Sequence, residues 1–230
     1  MRIFLPIFVA FLMLGCAKKE VKIPTLAEKG IQEVQNNSQV WLFFEVKNND
    51  TIAIVNRKNT ISTTHWIYNI DKRLPLKTII PSLITLQYKH ANSMHSEKGM
   101  HDYFSYADTI SKKLSVLAFD GVTFKTESLL SKNFIEKNSA DFINYNNINL
   151  VFNKNTIWIN DIKTNKSNFK DVLIALIELS SEGKKPMLHL NFNQNLLYQD
   201  YLFYKSIIHS IGAKNILINQ NEFIFNENKI

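Results

Sequence analysis

Two stretches of the sequence share one order of apolar runs and turns, and this shared order constrains the fold more than any single motif. The first stretch has apolar runs at 40–46 and 51–54, and the second has them at 148–152 and 156–159. A short asparagine-rich turn separates the runs in each stretch, which is typical of a β-hairpin. Strand alternation predicts that five residues of each hairpin share one face. These are Leu42, Phe44, Val46, Ile52 and Ile54 in the first hairpin, and Ile148, Leu150, Phe152, Ile157 and Ile159 in the second.

The two stretches also end with the same succession of segments. Tyrosines and an isoleucine recur at steps of three and four residues in 102–110 and in 200–208, which predicts an amphipathic helix in each. A β-rich run follows each helix, at 116–119 and at 216–218. The dipeptides Asp120-Gly121 and Gln220-Asn221 then predict tight turns into last strands at 122–124 and 223–225.

The segments between these ends are more regular in the second stretch. Ser167 can cap a helix, Gly183 can end it, and residues 187–192 alternate as a strand before the second helix. In the first stretch, residues 63–68 predict an additional strand, and 76–88 predict a helix disturbed by Pro81. A short linking helix is predicted around 129–135.

These patterns predict an α+β protein built as a tandem repeat of a two-layer β-β-α-β-α-β-β unit. The predicted divisions are a signal peptide at 1–15, a polar tether at 16–38, a divergent first repeat at 39–126, a linker at 127–145 and a second repeat at 146–230.

The second repeat resembles the periplasmic domain of the ExbD/TolR family. The similarity lies in 148–160, 169–179, 187–192 and 197–218, which follow the family's order of hairpin, helix, strand, helix and strand. Gly212 matches the glycine-containing turn that commonly closes the family's second helix. The resemblance implies a periplasmic module that dimerises and offers sheet edges to peptides or cell-wall material. The family's energy-transducing members carry an acidic residue in an N-terminal membrane helix, but residues 3–14 contain no Asp or Glu, so proton-driven activity is not implied.

The N-terminus has the pattern of a secretion signal. Arg2 precedes an apolar run at 3–14 that is too short to span a bilayer. The following Gly15-Cys16 completes a sequence that resembles the lipobox of bacterial lipoproteins, which implies cleavage before Cys16 and attachment of lipid to it. Ala17 carries no inner-membrane retention signal of the Asp type, so the outer membrane is favoured over the inner membrane. The alternative is an uncleaved membrane helix, as in an accessory subunit of a transporter.

Composition argues against a disulfide-stabilised protein and against a nucleic-acid-binding protein. Cys16 is the only cysteine, so no disulfide can form within the chain. The net charge of +7 is not concentrated in a block of Lys and Arg, so we expect no nucleic-acid partner.

No recognised catalytic or metal-binding motif is present. His90, His95 and His101 are spaced by five and six residues in a predicted loop, which favours a solvated polar loop over a zinc site. Asp102 and Asp200 occupy equivalent positions near predicted helix N-termini, where a carboxylate stabilises the helix. We therefore expect a non-enzymatic protein without cofactor or metal. An envelope hydrolase using Asp102 or Asp200 is the alternative, and a pocket that held either one beside a second acid would favour it.

Aromatic residues are the remaining functional signal. Trp41, Phe43 and Trp158 are predicted on the outer faces of their hairpins, and His189 is predicted on the polar side of its strand, at the surface or its boundary. These four residues are candidates for an interface, either with a partner or between the two repeats as an intrachain pseudo-dimer.

The sequence therefore predicts a lipid-anchored periplasmic protein that binds an envelope protein or peptidoglycan. An extended peptide could add as a strand to the edge at 223–225 or at 187–192.

Overall fold

The computed structural model describes residues 19–93, 99–127, 130–179, 183–212 and 216–227. The predicted signal peptide, Cys16 and His95 lie outside the described residues.

Twelve strands and five helices form within the described ranges, and none of these helices has the length and apolar character needed to cross a membrane. The strands are β1 (Thr25–Leu26), β2 (Asn37–Lys47), β3 (Asp50–Asn56), β4 (His65–Ile70), β5 (Asp102–Asp108), β6 (Lys113–Ala118), β7 (Thr123–Lys125), β8 (Tyr145–Phe152), β9 (Ile157–Ile159), β10 (Ile162–Thr164), β11 (Lys185–Asn193) and β12 (Leu217–Phe225). The helices are α1 (Leu76–Ala91), α2 (Ser131–Lys137), α3 (Ser139–Phe142), α4 (Phe169–Leu179) and α5 (Tyr198–Gly212).

Sheet 1 is built by the first half of the chain. β2 and β3 form the predicted antiparallel hairpin, β4 and β5 extend the sheet in parallel, and β6 returns antiparallel beside β5. The strand order is β3-β2-β4-β5-β6, and β1 pairs with the end of β5. α1 provides the crossover that the parallel strands β4 and β5 require, and it continues through Pro81 to Ala91.

Sheet 2 has the order β10-β9-β8-β11-β12-β7. β8 and β9 form the second predicted hairpin, and β11 and β12 are parallel to β8, with α4 and α5 as crossovers. β7 comes from the first half and completes the sheet beside β12. The two mixed sheets with their helices agree with the expected α+β class.

One hydrophobic core connects the two sheets. The ring of Tyr201 on α5 lies 4.8 Å from Phe192 of sheet 2 and 6.1 Å from Phe104 of sheet 1. The five hairpin residues predicted to share a face in the second hairpin are all buried in this core.

The loops that precede α1 and α5 pair with each other reciprocally. Leu76 N donates to Leu196 O (2.9 Å), and Tyr198 N donates to Leu74 O (2.8 Å). A second reciprocal pair lies outside the first: Lys77 N donates to Gln194 O (2.8 Å) and Gln199 N donates to Lys72 O (3.2 Å). Each loop therefore donates two backbone hydrogen bonds to the other loop and accepts two from it.

The helix predicted at 102–110 is wrong, because these residues form strand β5. The core covers one face of β5, and the segment at 31–36 covers the other, with Val34 packed against Ile67 and Tyr103. A strand that is buried on both faces need not alternate polar and apolar residues. The steps of three and four residues between its tyrosines and isoleucine therefore fit a helix pattern as well.

Neither predicted terminal hairpin forms. Residues 217–225 are one strand, and Gln220-Asn221 lies where its register with β11 shifts, between Leu188 and Leu190. Asp120-Gly121 does turn the chain, with Gly121 at φ 73°, but the following β7 pairs with β12 instead of β6.

The first hairpin differs from its predicted facing. Phe43 pairs with Ile54 and Glu45 pairs with Ile52, and directly paired residues share a face. Ile52 and Ile54 therefore lie on the outer face, whereas Ala53 and Val55 pack against the core.

The polar segment at 16–38 is not a free tether over its described part. Lys22 N donates to Asp71 Oδ2 (3.1 Å), β1 pairs with β5, and Val116 N donates to Ile31 O (2.8 Å). These contacts attach the segment to sheet 1, although its sequence has no apolar periodicity that predicts packing.

Candidate functional site

A cleft of about 620 Å³ lies where the end of α1 meets the start of β5. His90 in the last turn of α1 and Asp102 at the first position of β5 form its buried base, with His90 Nδ1 2.9 Å from Asp102 Oδ1. Asp120 also lines the cleft.

His90 and Asp102 share a proton. His90 Nε2 lies 3.0 Å from the Thr64 carbonyl, which can only accept, so Nε2 must carry a hydrogen. The contact between Nδ1 and the Asp102 carboxyl group then needs one more proton, on either partner. Burial works to lower the pKa of His90, but the hydrogen bond and charge of Asp102 outweigh it and raise this pKa. Burial raises the pKa of Asp102, against the lowering effect of His90.

His101 and Asp120 form a second, more exposed pair at the mouth of the cleft. His101 Nδ1 lies 2.8 Å from Asp120 Oδ2, and Asp102 N donates to Asp120 Oδ1 (2.8 Å). The His101 ring stacks on His65 at 5.4 Å, and His101 N donates to His65 Nδ1 (3.0 Å).

These contacts limit the chemistry of the cleft. Both ring nitrogens of His90 are occupied, so it cannot take a proton from a substrate. If Asp120 accepts from His101 Nδ1, then His101 Nε2 is the cleft nitrogen left to act as a base. The described residues contain no group of three or more His, Cys, Asp or Glu residues arranged for a metal ion.

Asp102 and Asp200 are not equivalent in the structure. Asp102 belongs to β5 and is buried, so its predicted role at a helix N-terminus is wrong. Asp200 does lie in the first turn of α5, where it pairs with Lys166 Nζ at 2.5 Å.

A second candidate site is the open edge of sheet 1. Within the described residues, β3 pairs only with β2. The other edges are shorter or covered, since β7 and β10 have three residues each and β6 is bridged by Ile31. Between Asp50 and Asn56, β3 contains no charged residue or proline, the features by which proteins block edge pairing.

The outer face of the β2–β3 hairpin carries an apolar group beside this edge, which we call the hairpin patch: Trp41, Phe43, Ile52 and Ile54. Trp41 is 36% exposed, the other three are partly exposed, and the rings of Trp41 and Phe43 stack at 6.4 Å. None of the four belongs to a hydrophobic cluster of the core.

Trp158 lies on the outer face of sheet 2, as predicted, and is 38% exposed. The ammonium group of Lys163 lies 6.0 Å from the centre of its ring. Because Trp41 and Trp158 are both exposed, the expectation that the outer faces of the two hairpins pack together is wrong.

His189 is fully buried, so its predicted position at the surface or its boundary is wrong. His189 Nε2 lies 2.9 Å from Asn147 Oδ1, and Nδ1 lies 2.9 Å from Asn219 Nδ2. The ring of Phe142 on α3 covers it at 5.3 Å. The cover comes from the segment predicted as a linker, which strand alternation alone does not show.

Of the two edges predicted for peptide addition, 187–192 lies inside sheet 2, and 223–225 is paired on one side and partly on the other. β11 has β8 and β12 as neighbours, and residues 223–225 of β12 pair with β11 while Phe223 also pairs with β7. The sequence predicts β3 itself from its apolar run after the hairpin turn. It does not predict that β3 lies at an edge, because that depends on the strand order.

Comparison of the chain with protein-family models, with curated protein sequences and with solved structures finds no significant match.

Proposed function

We propose that this chain is a lipid-anchored binding protein of the bacterial envelope, facing the periplasm, that captures an extended segment of a partner along the edge of β3. The observation that carries the proposal is this edge, which contains no charge or proline at residues 51–55 and is flanked by the hairpin patch. An added strand would form backbone hydrogen bonds to the open edge of β3. The partner class is an envelope protein or a peptide of the cell wall.

The lipid anchor rests on the sequence that ends in Cys16, and the outer membrane is the favoured location. Labelling with radioactive palmitate should mark the protein, and Cys16→Ser should abolish the label. A labelled Cys16→Ser protein would contradict the anchor, and an unprocessed chain would favour the membrane-helix alternative.

The halves of the chain are proposed to be divergent copies of one module. In each half, the first hairpin strand pairs with a parallel strand, and a crossover helix connects that strand to the next parallel one. These strands are β2, β4 and β5 in the first half and β8, β11 and β12 in the second. The reciprocal bonds between the loops before α1 and α5 also support this, because contacts of that kind arise across a two-fold axis. The order β8-β9-β10-α4-β11-α5-β12 supports an ExbD/TolR-like second repeat.

Strand addition is tested with adjacent proline substitutions. Successive N–H groups of a strand point to opposite sides, so of Ile52→Pro and Ala53→Pro one removes a bond to β2 and the other removes an outward donor. The probe is an immobilised library of random seven-residue peptides, with purified peptidoglycan sacculi in parallel. The variant with the smaller loss of thermal stability should lose peptide capture. Capture that is unchanged in both variants, or absent in the parent protein, would refute strand addition.

An envelope hydrolase remains the second candidate, and one observation favours it. The cleft holds Asp102 beside a second acid, Asp120, which in turn orients His101. Incubation with purified sacculi tests it: release of soluble fragments that His101→Gln abolishes would support hydrolysis, and no release would contradict it.

A further inference from the structure

The start of the described chain lies against the hairpin patch. Lys19 Nζ forms an ion pair with Glu45 Oε2 of β2 at 3.1 Å. Lys19 also lines a concavity of about 580 Å³ together with Phe43 and Ile54 of the patch.

Cys16 precedes Lys19 by only three residues. An extended chain advances at most about 3.5 Å per residue, so Cys16 lies within roughly 11 Å of Lys19 along the backbone. Acyl chains on Cys16 would therefore hold the outer face of the β2–β3 hairpin close to the lipid surface.

The charge around the patch is mainly basic. Arg57 and Lys58 follow β3 and line the same concavity, and within the described residues neither forms an ion pair. Lys47 stands at the opposite end of the hairpin, near the acidic Asp50. With Glu45 already paired to Lys19, the net charge of the remaining groups beside the apolar side chains is positive.

The geometry points to the hairpin patch as a membrane-contacting surface that lies on an anionic phospholipid bilayer. This inference rests on the proposed lipid anchor at Cys16. Tryptophan at an exposed apolar site is favoured at the headgroup level of a bilayer, and Arg and Lys beside it attract anionic lipids. The backbone groups at the edge of β3 project in the plane of the sheet, so a bilayer against its outer face leaves them open to a partner.

Contact with lipid can be read from tryptophan fluorescence. The acylated protein is reconstituted into phosphatidylglycerol vesicles whose acyl chains are brominated, and bromine quenches a tryptophan that reaches the bilayer. Trp158→Phe leaves Trp41 and the buried Trp66, and we expect its fluorescence to be quenched. The matched variant Trp41→Phe keeps the equally exposed Trp158 on the other sheet, and we expect little quenching.

The charged part of the surface is tested without the anchor. The chain from residue 17 keeps the whole described core and lacks the acylated residue. It should co-sediment with phosphatidylglycerol vesicles and not with phosphatidylcholine vesicles. Replacing Arg57 and Lys58 by Gln should weaken this binding by about 30-fold, from about 1 kcal/mol for each basic residue. Lys163→Gln, beside Trp158, is the matched control and should bind like the parent chain.

The possible failures are distinguishable. Mass spectrometry that finds acyl chains on Cys16, together with an unquenched Trp41, would overturn the membrane-facing patch and leave the anchor intact. Mass spectrometry that finds no acyl chain would contradict the anchor, and vesicle binding by the chain from residue 17 then decides the patch alone. A dimer in sedimentation that Trp41→Ser dissociates would assign the patch to a second copy and overturn the inference. Circular dichroism melting checks that each variant is folded.

Discussion

His189 should make the protein lose stability as the pH falls below neutrality. Its ring is fully buried, and burial lowers its pKa to about 4 from the ordinary 6.5. The contacts explain why the neutral ring is favoured: Nε2 donates to Asn147 Oδ1, and Nδ1 accepts from Asn219 Nδ2. Asn219 cannot simply rotate its amide to accept from a protonated ring, because its Oδ1 already accepts from Asn221 N (2.9 Å) and Nδ2 (3.2 Å).

The size of the effect follows from the two pKa values of His189. The unfolded chain takes up a proton near pH 6.5, whereas the folded chain does so only near pH 4, so the unfolded state binds more protons between these values. Stability therefore decreases as the pH is lowered through this window. About 2.5 pH units at about 1.4 kcal/mol per unit correspond to a loss of about 3 kcal/mol in the free energy of unfolding.

Urea unfolding of the parent protein and of His189→Gln, measured from pH 4 to pH 7, isolates this contribution. The variant removes the titration, and all other ionisable groups are common to both proteins. The free-energy difference between the two should therefore change by about 3 kcal/mol across the window. His209→Gln, which removes an exposed histidine of α5, is the control for the cost of a His→Gln substitution as such. A flat difference for His189→Gln, or an NMR titration of His189 near pH 6.5, would refute the reasoning.

Two further substitutions test the packing. Lys205→Met leaves the carboxylate of Glu222, which is 1% exposed, without its cation. It should cost about 3–5 kcal/mol in urea unfolding, and adding Glu222→Gln should recover most of this; a cost below about 1 kcal/mol would contradict the buried pair. Gly30→Ala would place a Cβ 2.1 Å from the hydroxyl oxygen of Tyr106, which donates to Glu28 O, so either the buried Tyr106 ring or the segment around residue 30 must shift. We expect a loss of about 1–3 kcal/mol and faster proteolysis of this segment, and unchanged values would contradict the close packing.

The sequence predicted those elements whose pattern is local. α4 and α5 were recognised by apolar spacing and the hairpins by their asparagine-rich turns, and the structure contains each of them. β5 and β12 differ from the prediction because their environment depends on residues remote in the sequence. The segment at 31–36 helps to bury β5 on both faces. In β12, Gln220-Asn221 is accommodated as a register shift, because β11 pairs with the strand on both sides of it.

The candidate sites were predicted less well for the same reason. The spacing of His90, His95 and His101, next to Asp102, predicts a solvated polar loop, but it does not show that α1 and β5 bury His90 and Asp102 in one proton-sharing pair. The apolar run of β3 is compatible with a central strand as well as with an edge strand. Only the strand order of sheet 1 distinguishes the two positions, and this order depends on strand pairing throughout the first half of the chain.

The two sheets differ in what covers their outer faces, and this difference supports the interaction surface that we propose. On sheet 2, α2 and α3 cover the outer face at β11 and β12, with Phe134 5.4 Å from Phe223 and Phe142 against His189, while Trp158 on β9 stays partly exposed. On sheet 1, the segment at 31–36 reaches only the β4–β6 side, so the hairpin patch stays partly exposed. The outer side of β8, β11 and β12 therefore carries a buried amide and histidine network, whereas the outer side of β2 and β3 carries a partly exposed apolar face. Removing α2 and α3 should expose a polar surface rather than a second apolar patch, which is why we assign lipid and partner contacts to the first half.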